Sequence, residues 1–212
     1  MKVAEPGQAL ADDLARVEAV RDALGPQGKV RVDANAAWSV DDAVTALKAL
    51  DAYDLEYAEQ PVASLEEMAD LRRRVDVRLA ADESVRTADD PLRIAGLDAA
   101  DIVVLKVQPL GGVRRCLEVA EACGLPVVVS SAVETSVGIA AGVALAAALP
   151  ELPFACGLGT VSLLGGDVTS QSMLPVDGHL PVRRVAPEPD LVHADEQTTT
   201  WWLDRMRAAA DA

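Results

Sequence analysis

The sequence predicts an α/β fold, a parallel (β/α)8-type barrel that is incomplete, with about seven strands. Three observations lead there. Short Val-rich runs alternate with helical patterns along most of the chain, and strand then helix, repeated, makes βα units and a parallel sheet. The strand runs are apolar except at their ends, as strands buried on both faces are. Those ends are polar and evenly spaced: Asp33, Glu59, Asp82, Lys106 and Ser130 follow one another at steps of 26, 23, 24 and 24 residues. One βα unit per step puts all five at the C-terminal end of a strand, where a (β/α)8 barrel builds its active site. An open doubly wound sheet also binds ligands at that edge, but five consecutive polar ends facing one centre favour closure.

The strand runs are Lys2–Ala4, Lys29–Asp33, Leu55–Glu59, Val77–Asp82, Ile102–Lys106, Val127–Ser131 and Phe154–Gly157. Between them, Leu10, Leu14, Val17, Val20 and Leu24 fall at helical spacing. Ser39 is an N-cap for a helix over Val40–Leu50, and Ser64-Leu-Glu-Glu67 has the form of a capping box. Further helices are expected over Pro91–Gly96, Val113–Cys123 and Ser136–Ala148. Seven strands instead of eight, and a start inside a strand at Lys2, imply that the first barrel strand is absent. The exposed edge this leaves is a route to self-association. Residues 1–174 form the partial barrel and 175–212 a C-terminal extension. In it "LPVDGHLPV" reads as a hairpin, "APEPD" as a Pro-rich exit, and "TTTWWLDRMRAAADA" as a terminal helix with Trp201 or Trp202 packed back.

Composition narrows the function. Half of the residues are hydrophobic and only 3% aromatic, so the core is built from Ala, Val and Leu. The formal net charge of −15 at pH 7 argues against nucleic acid, whose phosphates need Lys and Arg. No uninterrupted apolar run reaches the 18 residues of a membrane span, and the N-terminus has no signal-peptide apolar region. Cys116, Cys123 and Cys156 are an odd set without repeated spacing, so no disulfide framework is expected and a reducing cytoplasm fits. With only His179 and His193, a His-based zinc site is not expected. Gly111-Gly112 lacks the remainder of a phosphate-loop motif.

The chemistry lies in the strand ends. Asp33, with Asn35 two residues on, reads by itself as a turn or cap. Asp33, Glu59 and Asp82 on three successive strands converge as three carboxylates that repel unless a divalent cation joins them. All-oxygen ligands suit Mg²⁺, with Mn²⁺ as a substitute. Lys2 and Lys106 flank that group. Two ammonium groups beside a cation are costly unless an anion sits between them, so a small-molecule carboxylate substrate is implied. A desolvated Lys near a metal can act as a base. Asn35 and Gln60 fit roles orienting the ligands or bonding substrate. Glu83 could serve likewise or face solvent. The glycines of "CGLGT", Gly157 and Gly159, let backbone N–H groups approach a substrate carboxylate.

The set "KVAEPGQ", "VDANAAWS", "YAEQPV", "AADESV", "LKVQPLGG" and "VVSSAVETSVG" resembles the barrel domain of the enolase superfamily, and within it the muconate-lactonizing subgroup. The resemblance covers roughly residues 1 to 170. It implies that Asp33, Glu59 and Asp82 are Mg²⁺ ligands. It implies that Lys2 is the second Lys of a Lys-x-Lys motif, and that Lys106 lies on the opposite face. The implied reaction is a syn dehydration in menaquinone biosynthesis. It takes 2-succinyl-6-hydroxy-2,4-cyclohexadiene-1-carboxylate to o-succinylbenzoate through an enediolate, with Lys2 as base and Lys106 stabilising charge. Ser130, Ser131, Gly157 and Gly159 become candidates for holding the succinyl tail. The resemblance also implies an N-terminal capping domain, which is expected to be absent here along with the first strand. N-acylamino acid racemase, dipeptide epimerase and muconate cycloisomerase activities stand as alternatives, although "CGLGT" lacks the Asp-x-Asp of epimerases. A non-catalytic Mg²⁺-binding fragment is a third possibility.

Overall fold

A computed structural model describes residues 1–86, 90–192 and 194–210; His193 lies outside them. Five parallel strands, β1 (Val30–Asp33), β2 (Leu55–Glu59), β3 (Leu79–Ala81), β4 (Ile102–Leu105) and β5 (Val127–Val129), pair in chain order. Helices α1 (Leu10–Leu24), α2 (Val40–Leu50), α3 (Leu65–Arg72), α4 (Asp90–Leu97), α5 (Val113–Cys123) and α6 (Ser136–Ala148) alternate with them. The architecture is the incomplete (β/α) barrel that the strand spacing predicts.

Two expected strands shrink to single bridges. Lys2 pairs in parallel with Asp33, and Gly157 with Ser130. After Val3 the chain turns at Ala4 into the left-handed region, φ 59°, which ends the ladder. At the other edge the Ala155 carbonyl is taken by the Arg31 side chain at 2.7 Å. The helix-start expectations hold. Ser39 Oγ accepts from the Asp42 N–H at 3.2 Å. Ser64 Oγ accepts from the Glu67 N–H at 3.2 Å, while Glu67 accepts from the Ser64 N–H at 3.0 Å.

Strand alternation sorts the side chains into two layers. Val30, Val32, Ala58, Leu79, Ala81, Val103, Leu105, Val127 and Val129 pack with helix residues such as Leu47, Met68, Ile94, Cys116 and Ile139. Tyr57, Ala80, Ile102, Val104, Val128 and Phe154 form a separate cluster with no helix residue in it, the filling of the barrel. Counting on by two from the inner residues reaches Glu59, Asp82, Lys106 and Ser130, so the pleat aims them inward.

The extension departs from expectation in one respect. Asp177 and Gly178, both at positive φ, make a two-residue turn closed by the Val176–His179 bridge, the hairpin read from the sequence. The terminal helix α7 (Glu196–Ala210) also forms, but it buries no residue. Trp201 and Trp202 are 52% and 55% exposed and pack edge-to-face on each other, with Arg205 over both rings. An aromatic pair that satisfies itself needs no pocket on the barrel. Among the described residues no helix is long and apolar enough to cross a membrane.

The N-terminus of α6 is capped from a distance. Thr135 makes no side-chain cap bond; instead Asp167 accepts from the Ser136 N–H at 3.0 Å and from its hydroxyl. Ser136 Oγ in turn accepts from the Met173 N–H at 2.6 Å. Burial pushes the Asp167 carboxyl up, but hydrogen bonds from Ser136, Ser172 and Val168 outweigh it and hold the group at about 2. A carboxylate held below its unfolded value stabilises above that value and ceases to do so as pH falls through the folded one. Asp167→Ala is therefore expected to cost about 1–2 kcal/mol at pH 7, read by urea unfolding. The difference from wild type should vanish on acidification from about 4 to 2.

Candidate active site

The C-terminal strand ends surround an open cavity of about 510 Å³. Lys2, Asp33, Glu59, Lys106, Ser130, Ser131, Gly157 and Gly159 all line it. Asp82 is 3% exposed and lines the adjoining crevice with Lys106. Asp33 and Glu59 are register partners across β1 and β2.

Glu59 lies between like charges. Its carboxyl is pushed up to about 8, by burial first and then by Asp33 and Asp82. Each flanking lysine folds onto an outer carboxylate: Lys2 Nζ donates to Asp33 Oδ2, and Lys106 Nζ to Asp82 Oδ2. With the two aspartates drawn to the ammonium groups, no group of three or more His, Cys, Asp or Glu side chains among the described residues stands gathered around one point. The donor set nevertheless suits a hard divalent cation. Three carboxylates sit on successive strand ends, and their mutual repulsion is visible at Glu59. The buried Glu83 Oε2, next in sequence to Asp82, has no hydrogen-bond partner.

The two amides divide the work around these carboxylates. Asn35, at φ 44°, accepts from Lys2 Nζ at 2.6 Å and donates to Glu83 Oε1 at 3.0 Å. Its N–H donates to Asp33 Oδ1 at 2.8 Å, which fixes that carboxylate from behind. Gln60 is fully buried. Its Oε1 accepts from the Asp82 N–H at 2.9 Å, and its Nε2 donates to Val62 O and Ser84 Oγ. Gln60 thus orients the Asp82 backbone and presents nothing to the cavity.

On the far side, Ser130 faces the cavity. The Ser131 hydroxyl is committed, donating to Gly157 O at 2.9 Å and meeting Thr160 Oγ1 at 2.9 Å. Thr160 in turn donates to Ala132 O at 2.8 Å. Gly157 lies tight over Ser130: a Cβ there would be 2.8 Å from Ser130 Oγ.

Sequence reasoning missed the floor. Arg31 and Tyr57 line the cavity beneath Asp33 and Glu59. The Arg31 guanidinium lies 4.8 Å from the Tyr57 ring centroid and donates to Glu56 and Ala155 O. Both residues stand two positions before a strand-end carboxylate, so the two-residue period carried the signal.

A parallel barrel with acid–base groups and carboxylates on successive strand ends defines a class of enzyme, and the comparisons agree. A family model described as "Enolase C-terminal domain-like" matches residues 1–187, and the chain belongs to that family. It is 62% identical over 212 residues to the o-succinylbenzoate synthase of Thermobifida fusca (strain YX), covering 100% of this chain and 67% of that protein. It is 56% identical over 212 residues to the o-succinylbenzoate synthase of Mycolicibacterium smegmatis, covering 98% and 65%. The solved muconate lactonizing enzyme from Pseudomonas putida superposes with a TM-score of 0.78 at 27% identity, over 86% of this chain and 52% of that one. The chain thus spans about two thirds of the curated relatives and about half of the solved structure.

Proposed function

We propose that this chain is the catalytic barrel of an o-succinylbenzoate synthase. Such an enzyme converts 2-succinyl-6-hydroxy-2,4-cyclohexadiene-1-carboxylate to o-succinylbenzoate and water in menaquinone biosynthesis. The observation that carries the reading is the run of Lys2, Asp33, Glu59, Asp82 and Lys106 on neighbouring strand ends, in a chain so similar to curated synthases. Free thiols at Cys116, Cys123 and Cys156 support a cytoplasmic setting.

Asp33, Glu59 and Asp82 would hold Mg²⁺, or Mn²⁺ in its stead. When bound, the ion supplies positive charge to the substrate carboxylate, which acidifies the adjacent C–H. Lys2 takes that proton. The C–H electron pair becomes part of a new ring double bond, and the C–O bond to the hydroxyl breaks. In a syn elimination the proton and the hydroxyl leave from one face, so the ammonium formed at Lys2 returns its proton to the departing hydroxide. Lys106, on the other side, offsets the negative charge that builds up. Ser130 and the Gly157–Gly159 backbone hold the succinyl tail.

The test is a purified-protein dehydration assay with and without Mg²⁺. Mg²⁺-dependent conversion supports the proposal. Mg²⁺ binding without conversion favours a non-catalytic fragment. The lysines on both sides of the carboxylates also suit a two-base racemase, so N-succinylamino acids belong in the same assay. Racemisation without dehydration would shift the assignment.

The tail pocket gives a second expectation. Gly157→Ala puts a methyl group against Ser130 Oγ. Because that hydroxyl can rotate away, stability changes by less than about 1 kcal/mol. The redirected hydroxyl no longer meets the tail, so KM rises several-fold with kcat little changed. Steady-state kinetics reads both.

A further inference from the structure

A parallel bridge joins Lys2 to Asp33, and two residues on, Ala4 adopts φ 59°. A left-handed residue with a Cβ persists where its surroundings over-determine it. Those surroundings are on α1. Asp13, 2% exposed, accepts from the Ala4 N–H at 2.8 Å through Oδ2. Its Oδ1 accepts from Arg16 Nη1 at 3.2 Å. Arg16 Nη2 donates to the Lys2 carbonyl at 2.8 Å, and Nη1 to Gln8 Oε1 at 2.6 Å. One ion pair therefore grips the backbone on the C-terminal side of Lys2 at two points, the Lys2 carbonyl and the Ala4 N–H. Asp33 holds the same segment from the sheet side, accepting from the Val3 N–H at 3.0 Å. Neither Asp13 nor Arg16 lines the cavity.

We propose that Asp13 and Arg16 are positioning residues that aim the Lys2 ammonium group at the substrate. The inference rests on the reading of Lys2 as the base. A lysine head sits at the end of four rotatable bonds, so a small tilt of its peptide displaces Nζ by an ångström or more. Misplacement of that order costs about 10²-fold in rate. A neutral amide at position 13 can still accept from the Ala4 N–H, but it cannot hold the guanidinium with equal strength. The pairing of a buried carboxylate with Arg16 is what fixes both points together.

The experiment compares Arg16→Ala, Arg16→Lys, Asp13→Asn and Lys2→Ala in the full chain. Arg16 is the safer site because its side chain is 39% exposed, against 2% for Asp13. Arg16→Ala and Asp13→Asn are expected to lower kcat about 10- to 100-fold. KM should stay close to wild type, and each variant is assayed well below its own melting temperature. Arg16→Lys should recover part of the rate. ¹³C-lysine NMR reads the same event without turnover: the Lys2 ε-carbon signal moves toward its random-coil position in Arg16→Ala, while that of Lys106 stays. A kcat within twofold of wild type in both variants, or an unmoved Lys2 signal, overturns the clamp alone. Wild-type turnover in Lys2→Ala overturns the assignment of the base and the clamp with it.

Discussion

Lys2→Ala is expected to lower dehydration by about 10³-fold, the order that follows when a positioned general base is removed. The same substitution is expected to tighten Mg²⁺ binding. Lys2 Nζ is bonded to Asp33 Oδ2, and an ammonium group on a carboxylate competes with a cation for it. The two effects have opposite signs, which separates loss of chemistry from loss of the metal site. Dehydration assays together with calorimetric Mg²⁺ titration measure both. Turnover within tenfold of wild type removes Lys2 from the mechanism. Lys106→Ala is also expected to lower kcat, through lost charge stabilisation, and it too frees a carboxylate, Asp82.

Glu59→Gln is expected to abolish the stabilisation that Mg²⁺ gives the folded chain. At a free concentration a hundredfold above Kd that stabilisation is about 2.7 kcal/mol. Without metal, the variant should melt higher than wild type. Glu59 is buried beside two like charges, and a neutral amide of the same shape removes both the desolvation cost and the repulsion. Metal-free and Mg²⁺-loaded thermal melts of the two proteins make the comparison. Equal Mg²⁺-induced shifts in both would exclude Glu59 as a ligand.

Much of the barrel was legible because one rule, the two-residue pleat, governs both fold and site. Apolar runs fix which segments are strands, and the same alternation carries Tyr57 to Glu59 and Val104 to Lys106 on the inner face. Helix starts were legible where local chemistry decides them, at Ser39 and Ser64. The start of α6 was also located, but its cap was not, because Asp167 reaches Ser136 from 31 residues away. Distant partners leave no mark in a local window. The same holds for Asp13, which reads as one more acidic residue on a helix, and for Gln60, whose amide is fully used inside the loops. The edge segments at Lys2 and Phe154 have the composition of strands. Whether they extend their ladders depends on Ala4 and Arg31, which periodicity does not weigh. Trp201 and Trp202 looked like anchors for the barrel, yet each finds its aromatic partner next door.

The pairing order of the sheet bears on how the chain reaches this structure. Every ladder joins neighbouring strands, with partners about two dozen residues apart, so each βα unit can zip onto the one before it at a modest loop-closure cost. The bond from Arg31 to Ala155 is of another kind, joining residues 124 positions apart. It ties β1 to the segment after α6, and beside it the Phe154 ring packs edge-on against Tyr57. Arg31→Ala is therefore expected to loosen the Phe154–Gly157 segment while leaving the five ladders paired, which amide hydrogen exchange reads residue by residue.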